Sequence, residues 1–397
     1  MEEKGNNVIN FKRGIIMGLD ISVTGYFGAG SSAVLDLLSE YSCNGTGIKN
    51  ERGGYEHTTF YQPGGIFDLE DKLLLGNDIH RSDEALRTFE REMYRLNNNN
   101  FGWFGSFKEM FGDTFEKNLN QFIEELHPFT IKAQYYGQYE KVVFNPLKIP
   151  IQFAAKLLTG RTIYVWGRQF IYNPRIPEMR VTFPTQDEFY KSARKFVKQY
   201  MDMFREKDKE NTLFDRLLLC HNAYRLPQYF DEKFRLIIVK RDVRDVYCFN
   251  KYLWPEINAG SMYPTDVNTF IDYWRRLNRY EREIEDDRIL RINFEDLVYD
   301  YDNTLKKVEG HCNLKSNQHD LIKKYFKPQK SIKNTQVYHL RKEWKKEVDL
   351  IEDELSEYCY NFPYENKTDV KDMFDDSRTE KKEGLLTLMK RNIKHNK

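Results

Sequence analysis

Short apolar runs alternate along the chain with segments whose apolar positions recur every three or four residues. Residues 19–24, 217–220, 234–240 and 289–292 are brief runs rich in apolar residues, a pattern typical of buried strands. Residues 31–38 have helical spacing and directly follow the first run. Buried strands that alternate with helices predict a parallel sheet covered by helices. The fold class expected is therefore α/β.

The middle of the chain departs from this alternation. Helical spacing dominates from residue 66 to about residue 216, which predicts a large helical insertion within one domain of residues 1–363. Residues 49–61 resemble a further strand with a polar edge. The charged tail, residues 364–397, ends in a stretch with apolar and basic positions. That stretch either contacts an anionic membrane surface peripherally or packs on its own protein with a solvated basic face.

Composition limits the classes of partner. The 397 residues include 62 Lys and Arg against 61 Asp and Glu, a net charge of +1, so nucleic acid is not an expected partner. The five cysteines are scattered and form no CxxC pair, which suits a reducing compartment. The sequence contains neither a signal-peptide pattern nor an apolar run long enough to cross a bilayer. A soluble, cytoplasmic protein is expected.

A glycine-rich loop joins the first predicted strand to its helix. Gly25, four further residues, and then Gly30, Ser31 and Ser32 fit the phosphate-loop template except at its lysine, which is replaced by Ser31. Unpaired N–H groups at the start of a helix favour a phosphate or a sulfate. The missing lysine disfavours a nucleoside triphosphate as the ligand. A turn that merely joins strand and helix is the alternative.

A second charged motif follows the predicted strand at residues 234–240. The strand ends in Lys240, Arg241 and Asp242, with Arg244 and Asp245 shortly after. Parallel strands present their carboxyl ends to the ligand site, so these charges are expected near the glycine loop. Arginine guanidinium groups bind phosphate in planar, two-point geometry. The alternative is a surface loop with mutual salt bridges.

Together these motifs resemble those of sulfotransferases. The segments that carry the resemblance are GYFGAGSSAVLDLL, RDVRDVY, RINFEDLVYD and SIKNTQVYHLRKEW. The chain is similar in these segments to bacterial members related to the heparan-type and cytosolic enzymes, which use 3′-phosphoadenosine 5′-phosphosulfate (PAPS). The resemblance implies a P-loop NTPase-like parallel sheet flanked by helices. Residues 101–216 contain no motif that can be assigned.

The resemblance also implies a donor site. Arg241 takes the arginine position that binds the 3′-phosphate, and Lys333, with Arg341, belongs to the basic segment that closes over it. Arg244 and Asp245 are expected to shape this loop. The loop that holds the 5′-phosphosulfate corresponds here to Gly25, Phe27, Gly28, Ala29, Gly30, Ser31 and Ser32.

Two positions depart from the family pattern. Gly28 replaces the loop lysine of cytosolic members, so Lys49, Lys333 or the N–H groups of the loop must stabilise the leaving charge. Phe249 replaces a serine that usually binds the 3′-phosphate, and Asn250 or Cys248 is the alternative donor there.

The catalytic base is expected just before the helical insertion. Heparan-type members use a glutamate and cytosolic members a histidine, and Glu56 and His57 stand where the glutamate falls. An exposed strand carboxylate is the alternative interpretation of Glu56. Sulfuryl transfer needs no metal in principle, and the sequence has no carboxylate cluster to hold one.

The predicted function is sulfuryl transfer from PAPS to a hydroxyl or amine. The aromatic-rich insertion favours a carbohydrate acceptor, such as a capsular or cell-surface glycan in polysaccharide biosynthesis. Two alternatives stay open: a P-loop nucleotide kinase or NTPase, and a catalytically inactive glycan-binding module. The sequence does not determine the oligomeric state.

Overall fold

A computed structural model describes residues 18–46, 57–99, 101, 105–132, 150, 153–154, 157–158, 164–166, 169–171, 178–256, 260–282 and 284–366. The strands are β1 (Asp20–Gly25), β2 (Asn44–Gly45), β3 (Phe129–Lys132), β4 (Tyr164–Trp166), β5 (Gln169–Ile171), β6 (Glu178–Val181), β7 (Asn211–Asp215), β8 (Phe234–Lys240) and β9 (Ile289–Asn293).

The central sheet contains five of these strands in the order β2-β7-β1-β8-β9. β8 and β9 are parallel, with Leu236 opposite Ile289 and Lys240 opposite Asn293. Two antiparallel pairs, β3 with β6 and β4 with β5, form separate small sheets. The α/β class, with a mostly parallel sheet flanked by helices, is confirmed.

The α-helices follow the periodicity of the sequence. The predicted helix at residues 31–38 is confirmed, and the insertion begins with two helices as expected. In chain order the helices are α1 (Ser31–Leu38), α2 (Ile66–Leu74), α3 (Ile79–Asn98), α4 (Phe107–Phe111), α5 (Thr114–Leu126), α6 (Gln186–Met203), α7 (Leu226–Tyr229), α8 (Val243–Cys248), α9 (Trp254–Glu256), α10 (Val267–Arg279), α11 (Phe294–Tyr299), α12 (Tyr301–His311), α13 (Pro328–Ser331) and α14 (Lys345–Glu354).

The chain divides into two compact units. The first comprises Met1–Asp20 and Gly45–Phe234, and the second comprises Ile21–Asn44 and Arg235–Lys397. The first unit contains the helices of the predicted insertion. Its core is aromatic, with the rings of Phe122 and Phe196 stacked at 4.9 Å between centroids. The assignment of residues 1–363 to a single domain stays a prediction.

The second unit contains the glycine loop and the charged motif after β8. Its apolar core joins α8, α10 and α14 through fully or nearly fully buried side chains, among them Tyr247, Phe270 and Ile351. Because α8 follows β8 after two residues, this core fixes the carboxyl end of β8. The charged residues after β8 therefore project from a rigid support.

One strand prediction is wrong, and a second is not confirmed where it can be compared. Residues 217–220 are not a strand; β7 lies earlier, at Asn211–Asp215. Arg216 has a φ of 56°, a left-handed conformation that ends the strand, and Leu217 and Leu218 are buried in the turn that follows. Of the predicted strand at 49–61, the structure describes only residues 57–61, which contain no strand; residues 59–61 form a turn. No helix in the described ranges is long and apolar enough to cross a membrane.

Candidate anion-binding site

The glycine loop connects β1 to α1 as the sequence predicts. Inside the loop, the Ala29 N–H donates to the Tyr26 carbonyl at 2.9 Å, and the Ala33 N–H donates to the Gly30 carbonyl at 3.0 Å. No side chain caps α1 at Gly30. The first N–H groups of the helix, with the positive end of its dipole, therefore remain suited to an anion.

Two glycines give the loop its shape. Gly28 has a φ of 82° and Gly30 a φ of 86°, both in the left-handed region that favours glycine. Between β1 and Gly28, the Phe27 carbonyl accepts a hydrogen bond from the Tyr263 hydroxyl at 3.0 Å. The Phe27 side chain is 44% exposed. The loop thus has a fixed backbone and presents an aromatic ring to solvent.

Arg241 links this loop to a second segment. Its Nη1 donates to the Gly28 carbonyl at 2.8 Å, and its Nη2 donates to the Asn334 carbonyl. The guanidinium carbon lies 4.5 Å from the ring centre of Phe249 and 4.9 Å from that of Phe294. Nε is buried and has no hydrogen-bond acceptor among the described residues. A guanidinium has five N–H groups, so Arg241 has donors that the described part of the protein leaves unused.

Lys333 lies in the turn Ile332–Asn334, one residue from the carbonyl that Arg241 contacts. It is half-buried, and its ammonium makes no hydrogen bond or ion pair to the described part of the chain. The structure therefore brings the glycine loop, Arg241 and the Lys333 turn together. Arg341, by contrast, is exposed and paired with Glu256 at 3.2 Å.

Asp245 holds the segment after this turn. Its carboxylate accepts the N–H groups of Gln336 at 2.8 Å and Val337 at 2.7 Å. Gln336 has a φ of 55°, a conformation that is rare outside glycine. The two hydrogen bonds stabilise this bend and so position the turn that contains Lys333.

Two buried carboxyl groups beside Arg241 have raised pKa values. Burial raises the pKa of Glu295 to about 8, and the Arg241 charge opposes the shift. Burial, with the nearby Asp242 charge, raises the pKa of Asp245 to about 7. In both carboxyls burial favours the neutral form, which lessens the negative charge beside Arg241.

Within the charged motif after β8, Asp242 and Arg244 bind each other and stabilise the start of α8. Asp242 caps α8 by accepting the N–H groups of Arg244 and Asp245. The Arg244 guanidinium returns to the same carboxylate, with Nη2 at 2.7 Å from Oδ2. This pairing raises the pKa of Arg244, although burial opposes it. The expectation that Arg244 and Asp245 shape the loop agrees with these contacts.

Neither Asn250 nor Cys248, the alternatives to the missing serine, presents a hydrogen-bond donor to a ligand. The Asn250 side chain is fully buried; its Oδ1 accepts from the N–H groups of Met262 and Tyr263, and its Nδ2 donates to the Tyr263 carbonyl. Cys248 is also fully buried, and burial raises the pKa of its thiol. Phe249, at the serine position, instead places its ring against Arg241.

Of the two candidate bases, Glu56 and His57, the structure describes only His57. Glu56, like Lys49, lies outside the described residues. His57 belongs to the first unit and is buried, and its Nδ1 lies 2.9 Å from the Tyr200 hydroxyl. Burial lowers the pKa of His57 to about 3. Its surroundings are those of a core histidine, and its assignment as a base stays a prediction.

The sequence did not indicate three aromatic residues that lie at the site. Phe294 packs on both Gly30 and Arg241, Trp254 faces Gly28, and Tyr263 binds the Phe27 carbonyl. Phe294 lies within the RINFEDLVYD motif, which is the one signal that could have indicated it. Among the described residues, no group of three or more His, Cys, Asp or Glu side chains is arranged to hold a metal ion.

Comparison with known proteins gives only distant likenesses. No protein-family profile and no curated protein matches the chain. Among solved structures, the sulfotransferase STF1 of Mycobacterium tuberculosis H37Rv has 11% identity, covers 86% of this chain and 78% of its own, and has a TM-score of 0.32. The sulfotransferase STF9 of Mycobacterium avium has 11% identity, coverage of 89% and 79%, and a TM-score of 0.35. Because both scores are below 0.5, the functional argument depends on the site residues alone.

Proposed function

We propose that this protein is a sulfotransferase that uses PAPS and transfers its sulfuryl group to a hydroxyl or amine. The observation that carries the proposal is the contact between Arg241 and the uncapped glycine loop. Arg241 is bound to the Gly28 carbonyl and still has an unused buried Nε. A loop suited to one phosphate and an arginine suited to another match a donor with phosphates at its 5′ and 3′ positions.

In this proposal the N–H groups of Gly30, Ser31 and Ser32, at the start of α1, stabilise the charge that develops on the leaving phosphate. The acceptor oxygen or nitrogen forms a bond to sulfur while the bond between sulfur and the phosphate oxygen breaks, and the acceptor proton passes to a base. Preorganised N–H donors suit this step because they need no rearrangement as charge develops. Lys333 adds a positive charge near the same loop.

The acceptor proposed is a carbohydrate. The exposed ring of Phe27 supports this choice, since it belongs to the loop at which the sulfuryl group would be transferred. An aromatic face packs well against the C–H groups of a sugar ring. A capsular or cell-surface glycan is the class that we would screen first.

Thermal unfolding with nucleotides tests the donor site. Adenosine 3′,5′-bisphosphate at a hundredfold excess over its Kd is expected to stabilise the protein by about 2.7 kcal/mol, a rise of several degrees in Tm. AMP and ATP with Mg²⁺ are expected to stabilise it less. Arg241→Lys and Lys333→Ala should each reduce the shift, whereas Arg276→Ala, a change in an exposed ion pair, should not. Stronger stabilisation by ATP with Mg²⁺ would favour the kinase alternative.

A further inference from the structure

Two aromatic rings lie against the guanidinium of Arg241. Phe249 and Phe294 cover the guanidinium at 4.5 Å and 4.9 Å. Phe249 is 6% exposed and Phe294 is 4% exposed, so this contact is largely shielded from water. Cation–π attraction is stronger where water is excluded. The two shielded contacts therefore restrict the movement of the guanidinium.

The in-plane directions of Arg241 are also constrained. The carbonyls of Gly28 and Asn334 hold its two terminal nitrogens. A side chain held by two rings and by two hydrogen bonds loses little conformational entropy when it binds an anion. The arginine is thus preorganised before any ligand arrives.

Phe249 occupies the position at which the resemblance to sulfotransferases leads one to expect a serine hydroxyl. Its ring also lies 6.2 Å from that of Trp254, which faces Gly28. Phe294, the second ring at Arg241, packs against Gly30. The two rings therefore orient Arg241 relative to both left-handed glycines of the loop.

We propose that Phe249 is a positioning residue for 3′-phosphate recognition, one that orients Arg241 by stacking instead of donating a hydrogen bond to the phosphate. This inference rests on the proposed function, because it assumes that Arg241 binds the 3′-phosphate of the donor. It predicts that the ring of Phe249 controls how strongly the protein prefers adenosine 3′,5′-bisphosphate to AMP.

The test is the ratio of the Kd for AMP to the Kd for adenosine 3′,5′-bisphosphate, measured by calorimetry. Phe249→Leu should lower this ratio roughly 3- to 30-fold, the range expected for a shielded cation–π contact. Phe249→Tyr keeps the ring and should retain the ratio. Phe270→Leu is the matched control, because Phe270 is fully buried in the same core and is not stacked on Arg241. It should lower Tm without changing the ratio.

Phe249→Ser separates stacking from hydrogen bonding. If the ring is what matters, this variant also loses the preference; if the preference is kept or increases, a hydroxyl suffices and the proposal is wrong. An unchanged ratio in Phe249→Leu would overturn it equally. If wild type itself shows no preference for the bisphosphate, the proposed donor site fails first, and the positioning inference fails with it.

A measurement without ligand distinguishes these failures. The Nε–H signal of Arg241 in ¹⁵N NMR, assigned with Arg241→Lys, should exchange slowly with water in wild type. It should exchange faster in Phe249→Leu and stay slow in Phe270→Leu. Equal exchange in all three proteins would show that Phe249 does not fix the guanidinium.

Discussion

A Cβ atom on Gly28 would lie 3.0 Å from Cη2 of Trp254. This is the loop position at which the resemblance leads one to expect a lysine. A lysine is therefore disfavoured twice, by the indole ring and by the left-handed φ of 82°. The absence of the lysine and the position of Trp254 are therefore coupled, because the indole ring lies where the lysine side chain would begin.

Gly28→Lys is therefore expected to destabilise the protein and to gain no affinity for anions. The left-handed conformation costs roughly 1–2 kcal/mol for a residue with a Cβ, and displacement of the ring adds to it. Urea unfolding measures the change. Gly76→Ala isolates the conformational cost, because Gly76 has a φ of 74° and nothing within 4 Å of its Cβ position. Equal losses for Gly28→Ala and Gly76→Ala would show that Trp254 makes no difference.

Arg244→Ala should be strongly destabilising. The Asp242 carboxylate is almost fully buried and would lose its charged partner. Leaving a buried charge uncompensated costs about 3–5 kcal/mol. Arg244→Lys should recover little, since an ammonium cannot reproduce the two-point contact. Chemical denaturation is the measurement, with Arg276→Ala as the control at an exposed pair. A loss no larger than that of the control would contradict the structural assignment of Arg244.

The sequence predicts the backbone of this site better than its side-chain contacts. The helix α1 and the strand β8 can be predicted from apolar spacing alone, because the buried residues of each lie within one short segment of the sequence. The stacking of Phe249 on Arg241 cannot be predicted from the sequence, although the two residues are only eight positions apart. Apolar periodicity indicates that Phe249 is buried but not which side chain it contacts. Asp245 binds residues 91 and 92 positions away, and this pairing depends on the tertiary fold. Similarly, the apolar run at 217–220 indicated burial correctly and strand geometry wrongly.

The raised pKa of Glu295 predicts that stability falls as pH rises. The unfolded chain loses this proton near pH 4.5, whereas the folded protein keeps it up to about pH 8. The folded state thus binds more protons within this window, and the unfolding free energy declines by up to about 1.4 kcal/mol per pH unit. Asp245 contributes a similar decline that ends near its pKa of about 7. Between pH 7 and 8, Glu295 should dominate.

Glu295→Gln should therefore flatten the stability profile between pH 7 and 8. Exposed Glu343→Gln is the control. In the same interval, wild type should lose affinity for adenosine 3′,5′-bisphosphate, because ionised Glu295 adds negative charge beside Arg241. If the ligand raises the pKa of Glu295 by one unit, the loss is about 1.7-fold between pH 7 and 8 and approaches tenfold only well above pH 9. A variant that keeps the wild-type slope would show that another group titrates there.

His57→Phe tests the core environment of this histidine. Phe204 and Phe214 surround the imidazole, so a phenyl ring is expected to fit, with the loss of about 1 kcal/mol for the hydrogen bond to Tyr200. Because the pKa of His57 in the folded protein is lowered to about 3, wild-type stability should fall as pH decreases below 6.5. The variant should lose this part of the acid dependence, whereas exposed His339→Phe should keep it.

Glu56→Gln addresses the other candidate base. If Glu56 accepts the acceptor proton, the change should lower single-turnover transfer from PAPS by roughly 10²- to 10⁴-fold. The amide retains the shape of the side chain, so the affinity for adenosine 3′,5′-bisphosphate and Tm should stay at wild-type values. His57→Phe provides the comparison, since a histidine without a chemical function should leave the rate near that of wild type. A large rate loss in His57→Phe with normal transfer in Glu56→Gln would reverse the assignment and require His57 to become accessible during turnover.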